Sequence, residues 1–255
     1  MSQLSAVIIT YNEADFIGSC LGSIQGIADE IIVVDSFSSD STKEICKLFN
    51  VRFVEHVFEG YIEQKNWGLT LATHKWILSL DADEALSEEL RRSILEAKKD
   101  LKFDGYYFNR RNNYCGKWLR FSGWYPDRHL RLFESARGRW AGLNPHDKFR
   151  LDKGCRTGRL KGDLLHWNFL SYEEHLEKMN RFSSIAASSY FNAGKRSGQL
   201  TASIHMAWSF FRSFILRAGF LDGYHGYKIC SISAYGCYMK YYKLRMLIRE
   251  RSNGK

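Results

Sequence analysis

The stretch WILSLDADE, from Trp76 to Glu84, joins an apolar strand to a pair of carboxylates. The run WILSL predicts a buried strand, and Asp81 and Asp83 follow at its carboxyl end. In an open α/β sheet, ligands bind just beyond the carboxyl ends of the strands. Carboxylate oxygens suit Mg²⁺ or Mn²⁺, so the segment predicts a divalent-metal site. The alternative is a plain strand end followed by a helix cap at Ser87.

The first hundred residues alternate between strand and helix patterns. The apolar runs SAVIIT (5–10) and EIIVVD (30–35) are nearly continuous, as in strands that are covered on both faces. Two further strands are expected at 51–57 and 76–81, and helices around 16–24, 41–48, 62–72 and 87–99. Strands that alternate with helices imply crossover connections. The sequence therefore predicts an α/β fold with a mostly parallel sheet flanked by helices.

The pattern changes twice after residue 104. Shorter, mixed strands separated by glycines are expected over 105–166, and a long amphipathic helix over 172–193. After Gly198, an apolar stripe through Trp208 and Phe211 lies opposite a polar side that carries arginines. We therefore divide the chain into a first half of one domain (1–104), a second half (105–197) and a C-terminal amphipathic helical extension (198–255).

The positive charge of the chain is concentrated near its C-terminus. Residues 1–194 contain 26 basic and 26 acidic side chains, so the net charge of +9 comes from residues 195–255. Aromatic side chains alternate with these basic ones, as in segments that lie in the headgroup zone of an anionic membrane. The alternative is that the aromatic stripe packs on the α/β domain. A nucleic-acid partner is not expected, because the neutral first part contains no known nucleic-acid module.

The spacing of the cysteines and the N-terminal residues indicate where in the cell the protein is expected. The six cysteines form no C-x-x-C pair, and MSQLSAVIITYNE shows no secretion signal. No stretch approaches the roughly 18 uninterrupted apolar residues of a membrane span. The expected location is cytoplasmic, peripheral on the inner face of the plasma membrane.

Polar clusters follow three of the predicted parallel strands. The first strand is followed by Thr10, Tyr11, Asn12 and Glu13, the second ends in Asp35, and the fourth in Asp81 and Asp83. Because the carboxyl ends of parallel strands meet at one sheet edge, we expect these side chains to converge. Each cluster alone is also explained by a helix cap or a turn.

Four segments in this order, VIITYNE, IIVVDSFSSDST, QKNWGL and LSLDADE, resemble the nucleotide-sugar domain of the family 2 inverting glycosyltransferases, which have the GT-A fold. The similarity is greatest to the bacterial subgroup that adds sugars to the lipopolysaccharide core, and YPDRHLRLF, NPHDKF and HWNFLSYEEHLEKMNRFSS extend it over most of the chain. The resemblance implies transfer of a hexose, with glucose from UDP-glucose as the favoured donor. The implied acceptor is a lipopolysaccharide core or a lipid-linked glycan.

The resemblance also implies roles for residues at the strand ends. Thr10, Tyr11 and Glu13 would line the pocket for the nucleotide base and ribose, and Asp35 would accept a hydrogen bond from the base. Asp81 would approach the ribose or the metal, and Asp83 would coordinate the metal on the diphosphate. This chain has Asp35-Ser36-Phe37 where the family commonly has D-D-G-S. The pocket for the nucleotide base would therefore contain one carboxylate fewer.

Four further side chains are candidates for the donor site. Lys65 would help to neutralise the leaving diphosphate, although a solvated helical lysine is the alternative. Arg128 and Arg131 would clamp a phosphate, with plain surface arginines as the alternative. His166 would complete the metal shell or touch the diphosphate, unless it is a packed core histidine.

Inversion requires a general base that removes the proton of the acceptor hydroxyl. His146 and Asp147, in an expected loop from Trp140 to Phe149, are the candidates. The resembling subgroup has a histidine and an acidic residue here, commonly glutamate, and the acidic residue is the base. Aspartate is one methylene shorter, and a strand-capping role is the alternative for Asp147.

Two other functions are compatible with parts of the pattern. A metal-dependent nucleotidyltransferase uses a similar sheet, but TYNEADF stands where its glycine-rich phosphate loop would follow the first strand. A non-catalytic sugar-nucleotide-binding or membrane scaffold protein is the second alternative. That alternative would be favoured if Asp147 were fully exposed and far from Asp83.

Overall fold

The computed structural model describes residues 1–144, 146–198 and 200–253, and the side chains of Leu143, His146, Ser252 and Asn253 lie outside the description. The described chain forms two compact units. The first comprises residues 1–111 and 127–167, and the second comprises residues 112–126 and 168–255. The division of the chain expected after residues 104 and 197 stays a prediction.

Over the first hundred residues, strands and helices alternate as the sequence predicts, except for one additional short strand after the fourth. The strands are β1 Leu4–Thr10, β2 Glu30–Asp35, β3 Arg52–Glu55, β4 Trp76–Asp81, β5 Glu84–Leu86, β6 Gly105–Tyr114, β7 Lys117–Trp118, β8 Asp127–Glu134, β9 Gly138–Leu143, β10 His146–Leu151 and β11 Thr157–Phe169. The helices are α1 Ile17–Ile24, α2 Thr42–Cys46, α3 Tyr61–Leu71, α4 Glu88–Ala97, α5 Tyr172–Asn192, α6 Thr201–Phe211 and α7 Gly223–Asn253. A π-helical turn, Arg212–Leu216, continues α6.

The main sheet is parallel in its first part and antiparallel beyond it. Its order is β3-β2-β1-β4-β8-β6-β11-β5. The pairs of β1 with β2, β1 with β4 and β2 with β3 are parallel, whereas β8 runs antiparallel to β4 and to β6. The register aligns Thr10 with Asp35 and Ile9 with Asp81. The predicted α/β class is therefore confirmed, and the parallel strands end at one edge.

Apolar side chains cover both faces of the parallel strands. On one face, Ile8 and Leu80 belong to a buried cluster with Leu21 of α1 and Leu90 of α4. On the other face, a second buried cluster contains residues of β1, β2 and β4, and side chains of α3 pack against it. Burial on both faces explains why the strand sequences are nearly continuous apolar runs.

Three helices build most of the second unit. Helices α5 and α6 both pack on α7, and β7 pairs with the end of β6. A buried cluster contains Tyr114, Leu119, Phe169, Ile229 and Cys230. The expected C-terminal helical extension is confirmed, and its last helix has 31 residues.

A buried histidine makes the second unit sensitive to acid. His175 is 1% exposed, and its Nδ1 lies 2.8 Å from the Tyr114 hydroxyl. Burial, followed by the charge of Lys178, lowers the pKa of His175 from 6.5 to about 4. Between pH 6.5 and about pH 4, His175 is therefore protonated in the unfolded chain and neutral in the folded chain. The stabilising effect of the neutral ring is complete above pH 6.5 and is lost as the pH falls toward 4.

His175→Gln is expected to remove this part of the acid sensitivity. At about 1.4 kcal/mol per pKa unit, the loss in the parent protein is on the order of 3 kcal/mol. Urea unfolding at a series of pH values from 7 to 4 measures it. His225→Gln, at a half-buried histidine of the same unit, serves as the control and should keep the parental pH dependence. Parallel curves for the parent and His175→Gln would contradict the assignment.

Candidate active site

Side chains at the ends of β1 and β2 tie two loops together at the carboxyl edge of the sheet. Asn12, in a left-handed backbone conformation (φ 54°), accepts a hydrogen bond from the Ser39 N–H at 2.8 Å. Asp35 is buried and accepts one from the backbone N–H of Ser38, also at 2.8 Å. Asp35 therefore shapes its own loop, and its predicted contact with the base stays a prediction.

Thr10 and Tyr11 stand at the predicted nucleotide pocket in different environments. The Thr10 side chain is buried, and its hydroxyl has no hydrogen-bond partner among the residues that the structure describes. The side chain of Tyr11 is more than half exposed. Their predicted contacts with base and ribose stay predictions.

The raised pKa of Glu13 indicates an excess of negative charge at this edge of the sheet. Burial, and then the charges of Asp83, Asp40 and Asp81, raise the pKa of Glu13 to about 7. These are the carboxylates that the sequence predicts to converge, joined by Asp40 from the loop after β2. A cation bound among them would relieve their repulsion, so the electrostatics suit a metal site.

Lys65 joins two carboxylates from distant parts of the sequence. Its Nζ lies 2.9 Å from Asp81 Oδ1 and 2.8 Å from Asp147 Oδ2. The Lys65 side chain is buried, and its ammonium group lies 4.5 Å from the ring centroid of Trp140. The alternative of a solvated helical lysine is therefore wrong, and Asp147 lies beside the strand-end cluster.

Asp81 is held in its charged form by two cations. Burial alone would raise the pKa of Asp81, but the charges and hydrogen bonds of Lys65 and Arg131 hold it well below its usual value. Arg131 Nη2 lies 2.8 Å from Asp81 Oδ2. Asp81 is thus a fixed anion whose charge is already balanced by protein groups.

Glu84 completes this network and was not among the predicted site residues. Its side chain is fully buried, and its Oε1 lies 2.6 Å from Arg131 Nη2 and 3.5 Å from Arg110 Nη1. Its other oxygen, Oε2, accepts a hydrogen bond of 3.1 Å from the backbone N–H of Asp81. The available sequence signal was a third acidic residue, directly after Asp83 and before the apolar pair Ala85-Leu86.

A β-bulge aims Arg131 into the network. Leu130 and Leu132 pair with the consecutive residues Tyr107 and Tyr106 of β6, which leaves Arg131 as the extra residue. Bulges are frequent beside active sites because they redirect a side chain. The alternative of a plain surface arginine is wrong for Arg131, which is 2% exposed and paired with carboxylates, whereas Arg128 is exposed. The predicted phosphate clamp stays a prediction.

Asp83 and His166 form the pair predicted to hold a metal. His166 Nε2 lies 3.1 Å from Asp83 Oδ2, and the Trp167 N–H donates to the Asp83 carbonyl oxygen. Among the described residues, no group of three or more His, Cys, Asp or Glu side chains is placed to hold a metal ion. Mg²⁺ and Mn²⁺ are commonly held by one or two protein groups together with substrate phosphates and water. The two donors fit that arrangement, and His166 stays a predicted ligand.

The segment carrying the candidate base is a hairpin instead of the expected loop. Strands β9 and β10 pair antiparallel, and Asp147 stands opposite Gly142. Asn66 of α3 fixes the hairpin by bonding the backbone N–H and carbonyl of Trp140, each at 3.0 Å. The Asp147 side chain is 9% exposed. The side chain of His146, the other candidate, lies outside the described residues.

Comparison with known proteins places the chain in a family. Residues 5–157 match the model of glycosyl transferase family 2. The lipopolysaccharide core biosynthesis glycosyltransferase LpsC of Rhizobium meliloti is 30% identical, over 87% of this chain and 85% of its own. An uncharacterized glycosyltransferase of Rickettsia prowazekii is 28% identical, over 99% of this chain and 90% of its own.

A solved structure supports the fold. TarS of Staphylococcus aureus superposes with a TM-score of 0.50 and 15% identity, covering 91% of this chain and 55% of that one. The likeness agrees with the expected GT-A architecture, and the match to the family model shows the relationship. The chain belongs to glycosyl transferase family 2.

Proposed function

We propose that the chain is an inverting, metal-dependent glycosyltransferase. It transfers a hexose, with glucose from UDP-glucose as our choice of donor, to a lipopolysaccharide-core or lipid-linked glycan acceptor. The observation that carries this proposal is the single ammonium of Lys65 between Asp81 and Asp147. It links the predicted base to the strand-end carboxylates that would face the donor. The relationship to LpsC supports the choice of acceptor.

The donor half of the site would act on the leaving diphosphate. Asp83 and His166 would hold the divalent cation, which would offset the negative charge that develops on the diphosphate. Lys65 and Arg131 keep Asp81 ionised, so its position is fixed before the donor binds. Preformed charges of this kind need no rearrangement during the reaction.

The acceptor half would rest on Asp147. An oxygen of Asp147 would take the proton of the acceptor hydroxyl. The oxygen of that hydroxyl would attack the anomeric carbon, and the bond to the diphosphate would break on the opposite side. Lys65 holds Asp147 Oδ2, so the carboxylate is oriented before the acceptor binds. The scaffold alternative is not favoured, because Asp147 is neither fully exposed nor remote from the strand-end cluster.

Asp83→Asn is expected to weaken metal-dependent binding of the donor by at least about tenfold, since one charged ligand of the cation is lost. Calorimetry with UDP in the presence and absence of Mn²⁺ measures this effect. Asp100→Asn, at an exposed carboxylate, is the matched control. Unchanged Mn²⁺-dependent affinity in Asp83→Asn would contradict the metal assignment.

The identity of the product separates the transferase from its alternatives. With UDP-glucose and an acceptor, the protein should release UDP. Release of pyrophosphate from a nucleoside triphosphate would instead indicate the nucleotidyltransferase. Binding of nucleotide sugars without any turnover would indicate the non-catalytic protein.

The second unit supports attachment to a membrane surface. No helix among the described residues is long and apolar enough to cross a bilayer. Large apolar side chains of α6 and its π-helical turn are nevertheless exposed, namely Ile204, Trp208, Phe211, Ile215 and Leu216. An exposed apolar stripe beside basic residues is typical of helices that lie in the headgroup zone. We place the protein at the cytoplasmic face of the plasma membrane.

A further inference from the structure

The second unit contains a pocket whose lining includes none of the candidate site residues. Its volume is about 360 Å³, and all of its lining residues belong to this unit. The turn at residues 122–124, helix α6, the π-helical turn and α7 form its walls.

The charge of the pocket is positive. Arg212, Arg217 and His205 line it, and its described lining includes no aspartate or glutamate. Within the described parts of the chain, no carboxylate forms an ion pair with either arginine. Guanidinium groups bind phosphate oxygens through two parallel hydrogen bonds, so two unpaired arginines at one pocket favour a phosphate ligand.

The backbone brings the two arginines together. The Arg217 N–H donates to the Arg212 carbonyl oxygen at 3.0 Å, the five-residue spacing of a π-helix. Gly123 has a positive φ of 82°, and a Cβ at this position would lie 2.2 Å from Arg217 Nη1. The missing side chain therefore lets the guanidinium lie against the backbone of the turn. π-Helical turns are frequent at functional sites.

Ser122 is held in a strained conformation at the pocket wall. It is one of the lining residues and is 3% exposed. Its backbone φ is +60°, a conformation that costs energy for a residue with a Cβ. Residues held in such conformations cluster at ligand sites, so the turn at residues 122–124 is consistent with a binding role.

The surroundings of the pocket indicate that the phosphate belongs to a lipid. Trp208 lines the pocket and is 54% exposed, and Phe211 and Leu216 of the same segment are also exposed. A soluble phosphate compound would leave these apolar side chains in water, whereas a lipid headgroup brings the acyl region to them. The excess of basic residues over 195–255 adds long-range attraction to an anionic surface.

We propose that this pocket binds the terminal phosphate of an anionic membrane lipid. Arg212 and Arg217 hold the phosphate oxygens, and Trp208 and Phe211 enter the interface. The proposal specifies the membrane attachment suggested above. It concerns the second unit alone, so it stands or falls independently of sugar transfer in the first.

Sedimentation of the full-length chain with vesicles tests this site. The vesicles contain phosphatidylcholine with either phosphatidic acid, which has a terminal phosphate, or phosphatidylglycerol, which does not, at equal surface charge. We expect at least tenfold tighter binding to the phosphatidic acid vesicles. Arg212→Gln with Arg217→Gln should abolish that preference. Arg212→Lys with Arg217→Lys, which keeps the charge, should also weaken it because lysine lacks the bidentate geometry.

The control removes the same charge elsewhere on the second unit. Arg245→Gln with Arg249→Gln, on α7 and outside the pocket lining, should weaken binding to both kinds of vesicle equally and keep the preference. Equal effects of the two glutamine pairs would show diffuse attraction and overturn the proposal. If inorganic phosphate at millimolar concentration bound as tightly as the vesicles and displaced them, the lipid assignment would be overturned. Thermal unfolding confirms that each variant is folded.

Discussion

Replacing Asp147 by asparagine is expected to lower the turnover of sugar transfer by about 10²- to 10⁴-fold, the usual contribution of a positioned general base. Asparagine has nearly the same size but cannot accept the proton of the acceptor hydroxyl. The affinity for UDP should change little, because Asp81 still neutralises Lys65 in the variant. The rate of UDP release at saturating donor and acceptor measures the turnover.

A loss of stability must be separated from this loss of chemistry. Asp147 is paired with the buried Lys65, so its replacement also removes a charged hydrogen bond, at a cost of about 1–3 kcal/mol. Asp152→Asn, at an exposed residue just beyond β10, changes the same functional group without touching the site. Asp147→Glu keeps a carboxylate, and we expect it to retain more than a tenth of the parental turnover. A folded Asp147→Asn variant within tenfold of the parent would exclude Asp147 as the base.

The sequence predicts the strands that carry the strand-end cluster because local signals determine them. Continuous apolar runs identify β1, β2 and β4, and parallel pairing then brings Asp35 and Asp81 to one edge. Ser87 is the N-cap of α4, and its side chain accepts a hydrogen bond from the Leu90 N–H. The sequence signal for each strand and for the helix cap lies within one strand–helix unit.

The remainder of the site depends on contacts between distant residues. Glu84 is a buried anion only because Arg131, 47 positions later, reaches it from a bulge that hydropathy does not reveal. The hairpin of β9 and β10 is likewise hidden, since Asn66 fixes it from 74 residues away. Polar residues that satisfy each other across such distances resemble surface residues in the sequence.

Glu84→Gln is expected to lower the free energy of unfolding by about 3–5 kcal/mol, the cost of removing one partner from a buried ion pair. Glutamine has the same shape, and its carbonyl oxygen can still accept the hydrogen bond from the Asp81 N–H. The variant therefore removes the charge with little change in packing. Among the described residues, Asp81 would then be the only charged carboxylate within 3 Å of Arg131. A typical protein is stable by only 5–15 kcal/mol, so urea unfolding should show the change clearly.

A surface glutamate and a double variant that includes Arg131 make the test specific. Glu88→Gln, at an exposed residue of α4, should change the stability by less than about 0.5 kcal/mol. Combining Glu84→Gln with Arg131→Met should cost less than the sum of the single changes, because the double variant no longer buries an unbalanced guanidinium. If Glu84→Gln were as stable as the parent, the charge of Glu84 would not be needed to balance Arg131. Asp81 would then be the counterion that holds Arg131 in place.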